Sequence, residues 1–179
     1  MAQCEVTRLK FIDEAAIHTA MTRRYGRAAP GERVSDSVPR NYGASTSVIS
    51  CVGWDGVEAT MTVDGAVDTL VFNVYVEQVL RPCVQAGDIL VLDNLGAHKA
   101  SLIEEVAAAG GARVIWLPPY SPDYSPIEPM WAKVKEALRA AKARTRDALE
   151  RALTKALGLV RETDIRGWFR HCGYEVAAT

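Results

Sequence analysis

Nowhere does this chain run for the ~20 consecutive apolar residues that a membrane-crossing helix needs. The N-terminus, Met1 to Lys10, also lacks the basic start and apolar stretch of a signal peptide. Both absences lead to the expectation of a soluble, cytoplasmic protein with no membrane partner. The four cysteines, Cys4, Cys51, Cys83 and Cys172, form no C-x-x-C pair. That excludes a zinc ribbon and a disulfide framework and leaves them as reduced core thiols. Internal repeats and low-complexity tracts are absent as well. What is present is ordinary for a packed protein: 49% apolar and 24% charged residues over a length of 179, enough for a single domain with a substantial core and too short for a second one.

The net charge of −1 conceals an uneven distribution. Between Trp131 and Lys155 stand eight Lys or Arg (Lys133, Lys135, Arg139, Lys142, Arg144, Arg146, Arg151 and Lys155) against Glu136, Asp147 and Glu150. A basic stripe on a near-neutral protein suits a polyanion, although such runs on helices are commonly just solvated surface.

Strand and helix signals alternate along the chain. Val6 to Asp13 carries β-favouring residues, and Ser45 to Trp54 and Val57 to Val63 flank Asp55-Gly56, a hairpin turn signal. Thr19 to Gly43, rich in Arg, Gly, Pro and Ser, reads as a long excursion between the first two strands. Asp68 to Leu80 has helical apolar spacing with Asp68 as N-cap and Pro82 as a stop. Ile89-Leu90-Val91-Leu92 is a continuous apolar run, the pattern of a strand buried on both faces, and it ends at Asp93-Asn94. Ala100 to Ala109 predicts a helix stopped by Gly110-Gly111, and Arg113 to Leu117 another strand, parallel to the last. Residues 118–126 hold four of the eight prolines and form a rigid connector with Tyr120 and Tyr124 packed beneath it. Ser125-Pro126-Ile127-Glu128 then reads as a helix start, Ser125 capping, Pro126 in the first position and Glu128 closing a capping box, with the helix running to about Ala143. Helices from Thr145 to Leu157 and from Asp164 to His171 follow.

Three acids stand where the backbone could unite them. Asp13 ends the first strand, Asp93 ends the buried parallel strand, and Glu128 lies in a first helical turn. Sites in open α/β sheets gather at the carboxyl ends of strands, and carboxylates crowded there repel unless a cation neutralises them or one keeps its proton. All-oxygen ligands with no His-Cys cluster nearby select Mg²⁺ or Mn²⁺ over zinc. Each acid also has a plainer reading: a strand-end Asp is commonly a turn former, and Glu128 is explained by its cap.

The motifs weigh against the plainer reading. Leu92-Asp93-Asn94-x-x-Ala97-His98-Lys99, then Leu117-Pro118-Pro119-Tyr120-Ser121-Pro122, then Ser125-Pro126-Ile127-Glu128-x-x-Trp131 resemble the catalytic core of mariner-type transposases and their bacterial insertion-sequence relatives. The 34 residues between Asp93 and Glu128 resemble the spacing in the aspartate-aspartate-glutamate triad of that group. Phe11-Ile12-Asp13-Glu14 resembles its first catalytic strand, and the excursion with Arg23, Arg24 and Gly26 its usual loop. The resemblance covers nearly the whole chain. It implies a ribonuclease H-like α/β fold, a mixed five-stranded sheet flanked by helices, the first three strands antiparallel and the last two parallel to strand one.

Carried over by position, the resemblance makes Asp13, Asp93 and Glu128 the catalytic and metal-holding residues for two Mg²⁺ or Mn²⁺ ions, in DNA strand cleavage and strand transfer. Glu14, on the opposite side of its strand, and Asn94 are second choices. Candidate DNA contacts are His98, Lys99, Arg23, Arg24, Lys133, Lys135 and Arg139. Trp131 is expected to be a core anchor. The implied partners are transposon-end and target DNA and further copies of the chain in a homo-oligomer. Transposases of this kind carry a helix-turn-helix region ahead of the core. Here the first strand begins within a dozen residues of Met1, so that region is expected to be absent and a separate DNA-binding chain becomes a candidate partner. Two rival readings are a catalytically silent DNA-binding or assembly subunit derived from a transposase, and a nuclease of the same fold acting on RNA-DNA hybrids or junctions.

Overall fold

A computed structural model describes residues 5–93 and 101–175. The expectations attached to Asn94, His98 and Lys99, and to Ala100 as a helix start, lie outside the described residues. Within them, one five-stranded sheet is built from β1 (Leu9–His18), β2 (Ser45–Gly53), β3 (Val57–Asp64), β4 (Ile89–Leu92) and β5 (Arg113–Trp116), in the order β3-β2-β1-β4-β5. β2 runs antiparallel to both β1 and β3, while β4 runs parallel to β1 and β5 parallel to β4. This is the mixed sheet that the resemblance implied.

Helices cover both faces. Leu9, Phe11, Ala15 and Ile17 of β1 and Ile89 and Val91 of β4 pack against α3 (Ile127–Ala141), α4 (Arg146–Leu157) and α5 (Glu162–His171). The alternate residues, Ile12, Leu90 and Leu92, pack against α1 (Thr69–Tyr75) and α2 (Ser101–Ala109). A strand sandwiched this way must be apolar at every position, which is why Ile89-Leu90-Val91-Leu92 carries no alternation and is at most 4% exposed. α3 shows the helical counterpart: Ile127, Met130, Trp131, Val134 and Leu138 form one buried stripe. Lys142 ends it by adopting a left-handed conformation, φ 49°, and its N–H donates to the carbonyl of Leu138. Among the described residues no helix is long and apolar enough to cross a membrane.

Several boundaries differ from the sequence reading. Val6–Arg8 is a short 3₁₀ turn, so β1 starts at Leu9, and it continues five residues past Asp13 because β2 pairs with it as far as His18–Ser45. Asp13 therefore does not end its strand. The helix expected from Asp68 to Leu80 is α-helical only to Tyr75, with Asp68 capping it by accepting from the Val71 N–H. It then loosens into a π-type turn over Val76–Leu80 and tightens into a 3₁₀ turn around Pro82, whose ring cannot continue a helix. The last helix opens two residues earlier than expected, at Glu162. The described cysteines are free thiols, Cys51 and Cys172 being buried.

At the entry end of β1 and β4, charge is buried and satisfied. The ammonium of Lys10 donates to Glu58 at 2.7 Å and to the Cys83 carbonyl at 2.6 Å, and lies 3.1 Å from Asp88, whose side chain is 3% exposed. Burial by itself would lower the lysine pKa, but the hydrogen bonds and charges of Glu58 and Asp88 outweigh it and leave it raised. The stability it contributes is therefore complete below the unfolded lysine value near ~10.4 and is lost as pH climbs through the folded one. Lys10→Met strands the Asp88 carboxylate, and we expect a loss of about 3 kcal/mol in urea unfolding at neutral pH; a loss below about 1 kcal/mol contradicts a structural role for the cluster.

Candidate active site

Register brings the first two acids together. β1 and β4 pair in parallel from Leu9–Ile89 to Ile12–Leu92, so the next residue on each strand is an aspartate, Asp13 beside Asp93. Both share the strand parity of Phe11 and Val91, which places them on the α3 face. β4 stops there, and only β2 continues alongside β1, leaving the carboxylates at the point where the sheet loses a strand. With respect to β4, Asp13 does occupy the carboxyl-end position expected of a ligand site.

The third acid arrives on α3. The Leu117 N–H donates to the Leu92 carbonyl at 2.7 Å, extending the β4–β5 ladder into the proline-rich connector. The connector then arches over the ends of the strands and delivers Ile127 and Glu128 to the first turn of α3. The expected capping box is not formed: Pro126 occupies the cap position and makes no side-chain capping bond, while Ser125 contributes only its backbone carbonyl, accepting from the Glu128 N–H at 3.1 Å. Freed from capping, Glu128 lines a cleft of about 360 Å³ together with Asp13, Asp93, Ser125 and the connector residues Leu117 to Pro122. Tyr120 and Tyr124 do not pack beneath the connector. Tyr120 takes a left-handed backbone, φ 58°, that turns its ring fully into solvent, and Tyr124 is also exposed.

Electrostatics single out Asp13. Burial pushes its carboxyl up to about 7, and the neighbouring charges of Glu14, Glu128 and Asp93 push in the same direction against one opposing backbone N–H from Glu14. Its carboxylate Oδ2 accepts a hydrogen bond from Trp131 Nε1 at 3.1 Å. Trp131 is thus a core anchor, as expected, and also a polar contact of the site, which the sequence reading missed. The signal was available: Trp131 lies three residues after Glu128, on the same helical face. An all-oxygen acidic donor set, with Asp13 its desolvated member, suits a hard divalent cation. The three side chains share the cleft without being drawn into a ready-made cage; among the described residues no three His, Cys, Asp or Glu form a group tight enough to hold an ion.

The other candidates lie apart. Glu14 is absent from the cleft lining, as strand alternation requires. Lys133 pairs with Asp164 of α5 at 2.5 Å, and Arg139 lies 3.6 Å from Glu136 on its own helix. Elsewhere in the basic stretch, Arg144 donates to the carbonyls of Thr19 and Met21 and Lys142 pairs with Asp36, so these two cations fasten the excursion to the α3–α4 corner. Arg23 and Arg24 sit on that excursion, exposed.

Two aspartates set side by side where β4 ends beside β1, with a helix-borne glutamate in the same cleft, define a carboxylate-centred α/β domain of the nuclease type. The chain belongs to the DDE superfamily endonucleases, whose family profile matches residues 8–150. No curated protein matches it significantly in sequence. Among solved structures, a pre-cleavage Mos1 transpososome shares its fold with a TM-score of 0.72 at 16% identity, over 96% of this chain and 53% of that one. The Mos1 mariner paired-end complex with Mn gives 0.70 at 16%, over 94% and 52%. The Mos1 transposase catalytic domain with raltegravir and Mg gives 0.68 at 13%, over 94% and 81%. The chain therefore spans about half the length of the transposase in the Mos1 complexes.

Because the folded protein holds the Asp13 proton more tightly than an unfolded chain, whose aspartates titrate near ~3.9, raising the pH from about 4 to 7 weakens the fold. In metal-free buffer the part due to Asp13 is on the order of 3 kcal/mol, seen as a pH-dependent gap between parent and Asp13→Asn in urea melts. Parallel curves for the two proteins across that window contradict the burial assigned to this carboxyl.

Proposed function

We propose that this chain is the catalytic domain of a DNA transposase, which cleaves DNA strands and transfers their 3′ ends with Mg²⁺ or Mn²⁺ as cofactor. The observation that carries the reading is the meeting of Asp13, Asp93 and Glu128 in one cleft, in a chain whose family is the DDE superfamily endonucleases. Asp13, Asp93 and Glu128 would hold two ions between them. Such ions supply the positive charge that activates an attacking oxygen and stabilises a leaving one in phosphodiester displacement.

The residues of the chain do the rest. The β1–β4 register sets Asp13 beside Asp93, and the connector brings Glu128 into the same cleft, so a bound cation would have only side chains to draw together and no strand or helix to move. Desolvation of Asp13 favours capture of a cation over leaving its charge bare. Pro118, Pro119, Tyr120, Ser121 and Pro122 contribute a wall of the cleft, and we place the DNA strand along this wall. Arg23 and Arg24 on the excursion, with Lys133, Lys135 and Arg139 on α3 and His98 and Lys99 after Asp93, are the proposed backbone-phosphate contacts; such contacts weaken steeply with salt. Joining two transposon ends calls for a second copy of the chain, and end recognition for a helix-turn-helix region, on this polypeptide or on a separate DNA-binding chain.

Glu128→Gln tests the assignment. It removes charge at a position without a capping bond to lose, so stability stays within about 0.5 kcal/mol of the parent. Mn²⁺-dependent nicking of supercoiled plasmid falls by about 10³-fold or more, as when a group aimed at the reacting charge is lost. A variant that nicks as fast as the parent removes Glu128 from the site. Independently, Mg²⁺ at about 100 times its Kd stabilises the parent by about 2.7 kcal/mol, and Asp13→Asn abolishes most of that gain.

A further inference from the structure

Trp131 is 2% exposed and sits in the cluster formed by Phe11, Ile127, Met130 and Val134. Most of its ring is accounted for by packing. Its Nε1–H is not, because that donor meets a carboxylate oxygen of Asp13, 118 residues away in the chain, at 3.1 Å.

The chemistry of this donor matters. An indole N–H donates one hydrogen bond, accepts none and carries no charge. A Lys or Arg at the same point would neutralise Asp13 and compete with any cation for it; the indole holds one oxygen and brings no positive charge of its own. Tryptophan is also held by its own packing and cannot follow, so the oxygen it grips cannot swing away without leaving a buried indole N–H unpaired. Asp13 lines the same cleft as Asp93 and Glu128.

Position on the helix adds a second consequence. Glu128 and Trp131 stand one turn apart on the same face of α3, so the element that delivers the third carboxylate also grips the first. We propose that Trp131 is a positioning residue for the cation site: its indole N–H sets the orientation of the Asp13 carboxylate, and α3 thereby fixes two of the three acids at once. The inference rests on the cleft being a divalent-cation site.

Two variants of the whole chain separate the hydrogen bond from the packing. Trp131→Phe keeps an aromatic ring but drops the donor, and replacement of Trp131 by benzothienylalanine keeps the bicyclic shape with sulfur in place of the N–H. The readout is Mn²⁺ affinity from the electron paramagnetic resonance signal of the free ion, with no turnover involved. The parent binds Mn²⁺, and both variants bind it about 10-fold more weakly, the range seen when partners that orient metal ligands are removed. In the parent, one of the four indole ¹⁵N–¹H signals, identified by its loss in Trp131→Phe, moves in Asp13→Asn and during Mg²⁺ titration. Undiminished affinity in the benzothienyl variant, or an indole signal that ignores both Asp13→Asn and Mg²⁺, overturns the positioning role alone. Failure of the parent itself to bind Mn²⁺ overturns the cation site and the inference together.

Discussion

Everything at this site hangs on the parallel register of β1 and β4. Pairing that runs from Leu9–Ile89 to Ile12–Leu92 leaves Asp13 and Asp93 as neighbours on one face. A slip of a single residue would turn one carboxylate toward α1 and α2 while the other stayed facing α3. Two features oppose such a slip. β4 is buried on both faces, so any shift forces apolar residues out of two cores at once. At the entry end, Lys10 on β1 grips Asp88, the residue just before β4. The same two strands thus carry a satisfied charge cluster at one end and a crowded, like-charged one at the other. The first secures the alignment that makes the second.

The connector and α3 complete this division of labour. Proline-rich backbone reaches from β5 to α3 with one 3₁₀ turn at Pro122–Tyr124, and its four prolines restrict how far the helix start can wander. α3 is then anchored along its buried stripe from Ile127 to Leu138. Burial of five such side chains, at roughly 1.5 to 3 kcal/mol each, makes the helix a firm base for a repelling acid. The acids themselves oppose folding, as the raised Asp13 carboxyl shows; the core supplies what they take away, a pattern common where geometry serves chemistry.

Much of this was legible in the sequence. Unbroken apolarity marked β4, Asp55-Gly56 marked the β2–β3 hairpin, and the 34-residue spacing marked Asp93 and Glu128 as a pair. The errors have a common physical origin, since each concerns a choice that local sequence leaves open and tertiary pairing decides. Asp13 looked like a strand end because a single sequence cannot show that β2 extends β1 beyond the reach of β4. Glu128 looked like a capping residue because Ser-Pro-x-Glu permits a capping box; in the fold Pro126 takes the cap position and Glu128 lines the cleft. Tyr120 looked packed because aromatics commonly are, and its left-handed backbone sends it outward. The hydrogen bond from Trp131 to Asp13 spans 118 residues, and helical spacing alone could put the indole near Glu128 but not name its acceptor.

Membership of the DDE superfamily endonucleases and the fold shared with the Mos1 structures agree with a reading that begins from carboxylate crowding. That crowding makes sense when positive charge is supplied from outside the chain. Crystals soaked in Mn²⁺ and measured at its absorption edge address this most directly. Shared ligation requires an anomalous peak in the cleft within about 2.3 Å of carboxylate oxygens from both Asp13 and Asp93. Strong anomalous signal elsewhere on the molecule, with none between these two residues, would contradict the assignment of the cleft as the cation site.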